Sequence, residues 1–124
     1  MNTDPKTITL SQLAEVLASH FQHKREITCY IGSNAATPTS SIEALTAAVK
    51  ARAPRLPFIK MVHTLLQGPV PYVDKGLQDR IMTFSIFSGG DVRKAANEGH
   101  AYYLPCTLAN IDSLIGKGRR VEPD

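Results

Sequence analysis

The sequence predicts an α/β domain: an open, mainly parallel sheet with helices on both faces. Two observations carry this. Short runs rich in Ile, Val, Tyr and Thr alternate along the chain with segments of helical periodicity. The third such run is apolar at most positions, as a strand covered on both faces would be. Strand–helix alternation of this kind builds parallel sheets, which bind ligands at the carboxyl ends of their strands.

Residues 8–21 read as a helix with a complete start signal. Thr9 caps it, Gln12 closes a capping box, and Ile8 and Leu13 form a hydrophobic staple. Leu10, Leu13, Leu17 and Phe21 recur on one face. Residues 26–31 are a first strand. The loop 32–38 leads to a helix over 40–52, with Ser40 and Glu43 as a second capping box and Ile42, Leu45 and Val49 as its inner stripe. Pro54 ends that helix by disfavouring helical geometry at Ala53. A second strand lies within 56–66, and the Gly- and Pro-rich stretch 67–76 is a loop, long enough to be functional or mobile. Residues 81–87 are the third strand. Asp91 is the expected cap of a two-turn helix running to Glu98, which Gly99 stops in the left-handed conformation. A fourth strand over 102–106, a short helix over 110–115 and a polar tail over 116–124 complete the chain.

The 124 residues suit a single domain over 1–124. A chain of this size buries about two-thirds of its unfolded surface, enough for a core without disulfides or metals. Fourteen Lys and Arg against eleven Asp and Glu leave a charge of +3, with the basic residues dispersed and no Trp. That argues against a nucleic-acid surface, which clusters its charge, while still helping to hold a small polyanion. Cys29 and Cys106 lie in apolar runs and read as reduced thiols of a cytoplasmic protein. Neither CxxC nor HExxH is present, so no metal site is expected. His20 and His23 read as a solvated helix end favoured by the helix dipole. No run approaches membrane-spanning length and the N-terminus is polar, so no membrane partner is expected.

Two loops leave strand ends. "GSNAATPTSS" offers Gly32, Ser33, Asn34 and Thr37 ahead of a helix N-terminus, where exposed N–H groups favour an anion. It matches no nucleotide fingerprint, and ligand contact and plain connection both stay open. Its hydroxyls also suit a flavin phosphate, the weakest of the readings. In the second loop, Gly89-Gly90 allows positive φ and close backbone approach. Asp91 would compete there with an incoming phosphate, so local chemistry favours a turn over a cradle. Arg93, poorly placed for the helix dipole, is expected to have another partner, an anion or a structural carboxylate. His63 reads as a hydrogen-bonded core residue rather than a catalyst. Tyr102 and Tyr103 alternate across a strand, so at most one faces any given site.

The order of the pieces is more specific than any one of them. "P-x-x-x-I-E-A-L" spans Pro38 to Leu45, a strand ends in His63, and "F-S-G-G-D-V-R-K-A-A-N-E-G-H-A-Y-Y-L-P-C-T-L-A-N-I" spans Phe87 to Ile111. Nearly the whole chain thereby resembles the N-terminal region of the acetyl-CoA hydrolase / CoA-transferase family, which includes 4-hydroxybutyrate and acetate CoA-transferases. Phe87, Gly89, Arg93, Ala95, Gly99, Tyr103 and Pro105 match the family pattern, while Gly90 and Tyr102 depart from it.

The resemblance implies a CoA-transferase-like fold, apparently truncated, since family members carry two related α/β domains. In them a C-terminal-domain glutamate attacks the acyl-CoA carbonyl, and an anhydride and a glutamyl-CoA thioester form in turn. Glu15, Glu26, Glu43, Glu98 and Glu122 do not stand in the matching context. No catalytic residue is therefore assigned, and the chain alone is expected to be inactive. Gly32, Ser33, Asn34, Thr37, Gly89, Gly90 and Arg93 become candidate walls of an acyl and CoA cleft. A coenzyme A thioester and a carboxylate are the implied substrates, with no tightly bound cofactor. The implied partner is the absent C-terminal catalytic domain or another chain supplying the nucleophile. A non-catalytic binding or assembly module, pairing through an open sheet edge as a homodimer, is the alternative.

Overall fold

A computed structural model describes residues 7–51 and 55–124. Four parallel strands form one sheet: β1 (Glu26–Tyr30), β2 (Phe58–His63), β3 (Ile81–Ser85) and β4 (Tyr102–Tyr103), in the spatial order β1-β2-β3-β4. The expected parallel α/β architecture is thus present. The register sets Cys29 beside Met61 and His63 beside Ser85. The helices are α1 (Leu13–His20), α2 (Thr39–Lys50), α3 (Gly90–Asn97) and α4 (Ile111–Leu114).

Side-chain alternation along the strands decides where the core lies. Ile27, Ile59, Met61 and Ile81 point to one face. They join Ile42, Leu45 and Val49 of α2 and Val92 and Ala95 of α3 in one buried cluster. The opposite face is only partly covered: Tyr30 and Tyr102 are exposed, and Lys60 pairs there with Glu26 at 3.0 Å. β3 therefore alternates buried and half-buried positions rather than being covered on both faces.

The connection from β2 to β3 carries no α-helix. Pro69 and Pro71 with Gly68 and Gly76 leave room only for two 3-10 turns, Pro71–Val73 and Lys75–Leu77. It is nonetheless packed: Val70, Tyr72, Val73 and Leu77 are buried between α2 and α3. After β4 the chain returns to the far edge of the sheet. Asp124 there accepts from the Thr28 N–H, donates its own N–H to the Thr28 carbonyl at 2.9 Å, and pairs with Lys24. That contact occupies outward-facing backbone groups of the β1 edge.

Several local expectations are corrected. The first helix opens with a 3-10 turn, Leu10–Gln12, in which Gln12 Oε1 accepts from the Thr9 N–H at 2.9 Å as the capping box requires. Leu10 is exposed, because the tighter turn rotates it off the stripe formed by Leu13, Leu17 and Phe21. α2 begins at Thr39 with Pro38 as its cap residue, so Ser40 lies inside the first turn and caps nothing. The stop expected at Pro54 lies outside the described residues. α3 begins one residue before Asp91, with extended Gly89 as its cap residue, while Gly99 does stop it at φ 83°. The fourth strand is two residues, not five.

Ile59 is 1% exposed on a central strand of the sheet, so truncation there leaves a buried cavity. Ile59→Ala should cost roughly 2–5 kcal/mol of unfolding free energy. Urea denaturation measures this, and a loss below about 1 kcal/mol would contradict the packing described.

Candidate functional site

The strand order has no reversal, so the carboxyl ends offer no crevice between diverging connections. They offer a bridge instead. Residues 64–67, immediately after β2, lie between the loop after β1 and the loop after β3. Ser33 Oγ accepts from the Thr64 N–H at 3.2 Å, and the Asn34 N–H reaches the Leu65 carbonyl at 2.8 Å. Thr37 Oγ1 donates to the Asn34 carbonyl at 2.7 Å and accepts from the Gln67 N–H at 3.1 Å. On the other side, Gly89 sits where an added Cβ would lie 3.5 Å from a Leu65 methyl and 3.9 Å from the Leu66 carbonyl. All seven candidate residues from the two loops therefore gather at one end of the sheet.

Their roles differ from each other. Ser33 and Thr37 use their hydroxyls to rivet the first loop to 64–67. Asn34 adopts φ 51°, the left-handed region that Asn tolerates better than most residues. Gly32 is a packing requirement, since a Cβ there would stand 2.5 Å from the Ala36 carbonyl oxygen. Gly89, with φ −74°, does not use positive φ, and Gly90 has open space around its Cα. The double glycine is neither a left-handed turn nor a closed cradle; Gly89 is where the start of α3 approaches residues 65 and 66. Asp91 does not cap α3, because its carboxylate turns outward and accepts from the Val70 N–H at 3.3 Å.

Arg93 donates through Nη2 to the Ser88 carbonyl at 3.2 Å and has no ion-paired carboxylate among the described residues. It lines an open groove of about 530 Å³ with Leu65, Phe87, Ser88, Ala96 and Tyr103. The wall is mostly apolar, the guanidinium is its cationic side chain, and no carboxylate faces it. Tyr103 belongs to this groove, whereas Tyr102 stacks on Phe84 with ring centroids 5.6 Å apart. The expected division of the two tyrosines holds. A second hollow of about 280 Å³ lies between 69–75 and α3, lined by charges of both signs and by His100.

Beneath the bridge lies a buried polar group. His63 is 0% exposed and its Nδ1 hydrogen-bonds the Thr64 carbonyl at 2.6 Å, as a structural core histidine would. Burial lowers its pKa from 6.5, partly offset by that bond. Burial raises Tyr72, whose ring meets His63 edge-on, and a nearby Cys29 raises it further. Burial also raises the Cys29 thiol, which makes it a poor nucleophile. Sequence reasoning passed over Thr64, Leu65 and Gln67, since "TLLQ" carries no motif and reads as the end of a strand.

Among the described residues, no group of three or more His, Cys, Asp or Glu could hold a metal ion. No helix among them is long and apolar enough to cross a membrane.

Two measurements check this geometry. Gly32→Ala forces the Ala36 peptide to move and should cost roughly 1–3 kcal/mol of stability, read by thermal or urea unfolding. An unchanged stability would mean the loop is not closed in this way. The second is pH. Because the folded pKa of His63 lies below its unfolded value of 6.5, the unfolded state binds the proton first. Stability should be full above pH 6.5 and fall as pH drops through 6.5 toward the folded value, by at most about 1.4 kcal/mol per pH unit. The neighbouring Tyr72 and Cys29 are raised and stay neutral there, and Asp124, held low by Lys24 and the Thr28 N–H, loses its contribution only below 3.8. His63→Asn should flatten the slope between pH 7.5 and 5 in urea titrations.

No family model matches the sequence. A "Succinyl-CoA:acetate/propanoyl-CoA:succinate CoA transferase" of Fasciola hepatica is 36% identical over 86 residues, 69% of this chain and 17% of that protein. The chain therefore spans under a fifth of the length of the curated relative it matches. The similarity supports a relationship with CoA transferases.

Proposed function

We propose that this chain is the N-terminal part of an acyl-CoA:carboxylate CoA-transferase or acetyl-CoA hydrolase, and that it forms one wall of the acyl and CoA cleft. The similarity to a succinyl-CoA:acetate CoA transferase carries the reading. The geometry supports it: the two loops singled out as cleft walls meet on residues 64–67, beside an apolar groove that presents an arginine.

Transfer of an acyl group from CoA needs a nucleophile at the thioester carbonyl. Among the described residues no glutamate or aspartate lines the Arg93 groove. Glu26 opens β1 and pairs with Lys60 at the amino end of the strands, and Glu98 lies at the far end of α3, 3.6 Å from His100. The nucleophile of this reading is therefore a carboxylate from outside the 124 residues. This chain contributes shape, an apolar surface for the acyl chain, and a cation for a carboxylate or phosphate oxygen.

A second reading, an assembly module, rests on one observation. Tyr102 and Tyr103 of the edge strand β4 are 48% and 59% exposed, on opposite sides of the strand, and Leu108 beyond it is 72% exposed. Aromatic residues at an unpaired edge suit a partner chain.

Calorimetric titration with CoA and acetyl-CoA, with thioester loss assayed in the same samples, separates these readings. Binding without turnover is expected. Turnover by the chain alone would overturn the assignment of the nucleophile elsewhere. Concentration-dependent association without CoA affinity would replace the cleft reading with the assembly module.

A further inference from the structure

The bridge between the two loops is aimed from below. A carbonyl oxygen can only accept, so the 2.6 Å contact to Thr64 fixes the proton of His63 on Nδ1 and leaves Nε2 as the lone-pair nitrogen. Nε2 and the Tyr72 hydroxyl are both buried without a hydrogen-bond partner among the described residues. Each such group is left without the bond that burial ordinarily requires. An imidazole kept in that state with one short bond made is a group whose single bond matters.

That bond orients a peptide. No peptide bond described is cis, so the Leu65 N–H points opposite to the Thr64 C=O. With the carbonyl drawn onto the buried ring, the N–H points away from that ring. Neighbouring donors are committed: the Thr64 N–H to Ser33 Oγ and the Gln67 N–H to Thr37 Oγ1. The Leu65 N–H has no backbone or side-chain acceptor of that kind among the described residues. Its own side chain, 40% exposed, lines the groove with Arg93. One Arg93 nitrogen is held by Ser88, which steadies the guanidinium and leaves its remaining N–H donors for a ligand.

We infer that His63 is a positioning residue whose buried imidazole aims the Leu65 backbone N–H into the groove, where it and the Arg93 guanidinium form a two-donor site for the carboxylate of a short aliphatic acid. Phe87, Ala96 and Tyr103 supply the apolar wall against which such a chain would lie. The role of that acid as the acceptor of coenzyme A rests on the CoA-transferase reading; the two-donor geometry stands apart from it.

The test is a titration of the ¹⁵N-labelled chain with acetate and then with succinate, followed through the Leu65 amide by NMR. In the wild type this amide should move downfield on binding. His63→Asn, whose side-chain amide can donate from the place of Nδ1, should retain the response. His63→Leu should shift the free-state Leu65 amide and weaken acetate binding at least fivefold. Arg93→Gln should weaken binding to a similar degree with the free-state amide unmoved. A Leu65 amide that ignores acetate in the wild type, or responds equally in His63→Leu, overturns the inference. Should His63→Leu fail to fold, the ring ¹⁵N spectrum of wild-type His63 decides, because an Nε2–H tautomer excludes the bond to Thr64. CoA binding with no Leu65 response would sink this inference and leave the cleft reading standing. An acetate response without CoA binding would do the reverse.

Discussion

Residues 64–67, beginning with the Thr64–Leu65 peptide, tie the loops together at the carboxyl end of the sheet. The strands run in the order β1-β2-β3-β4, so the loops after β1 and β3 are separated by the width of β2, and both contact residues 64–67. His63 holds the carbonyl of this peptide from beneath, and Ser33 holds the preceding N–H from the side. Asn34 adds a bond to the next carbonyl, and Gly89 rests against the Leu65 side chain. Displacement of residues 64–67 would remove the Thr64 N–H from Ser33 and the Gln67 N–H from Thr37, and would change the Leu65 wall beside Arg93.

The rest of the fold is arranged so that this peptide can be held by a neutral ring. His63 sits over the packed β2–β3 connection, with Tyr72 edge-on to it, and this surrounding opposes a charged imidazole. The connection could have been an α-helix, but its prolines and glycines make two short turns instead, and these bring Tyr72 under the end of β2. Asp91 then ties the connection to α3 through the Val70 N–H. The helical layer and the strand ends are thereby one mechanical unit, with buried apolar side chains below and a few hydrogen bonds above.

The charges are divided in a way that bears on chemistry. Most ion pairs described lie away from the carboxyl end: Lys24 with Asp124 at the β1 edge, Lys60 with Glu26 on the open face, and Lys50 with Asp74 on the helical side. At the groove the arginine is bound to a carbonyl and to no carboxylate. A cation kept clear of anions beside an apolar wall is suited to receive an anion rather than to supply one. That asymmetry agrees with a wall of an acyl-transfer cleft whose nucleophilic carboxylate comes from elsewhere.

The sequence by itself determined the elements. The Thr9–Gln12 capping box, the Ile42, Leu45 and Val49 stripe, the left-handed stop at Gly99 and the four strand positions all rest on spacings of a few residues, and all of these appear in the structure. The two strand-end loops were legible for the same reason, as small and glycine-rich stretches after strands. The tertiary structure alone decided what those loops do. Ser33 meets Thr64 across 31 residues of sequence, and Asp91 leaves its expected cap position for Val70, 21 residues away. No local spacing encodes such contacts; the parallel ladder creates them by setting strand ends side by side. The Thr64–Leu65 peptide shows the limit most plainly, because its role is carried by backbone atoms that every residue shares, oriented by a histidine whose burial only the folded chain supplies.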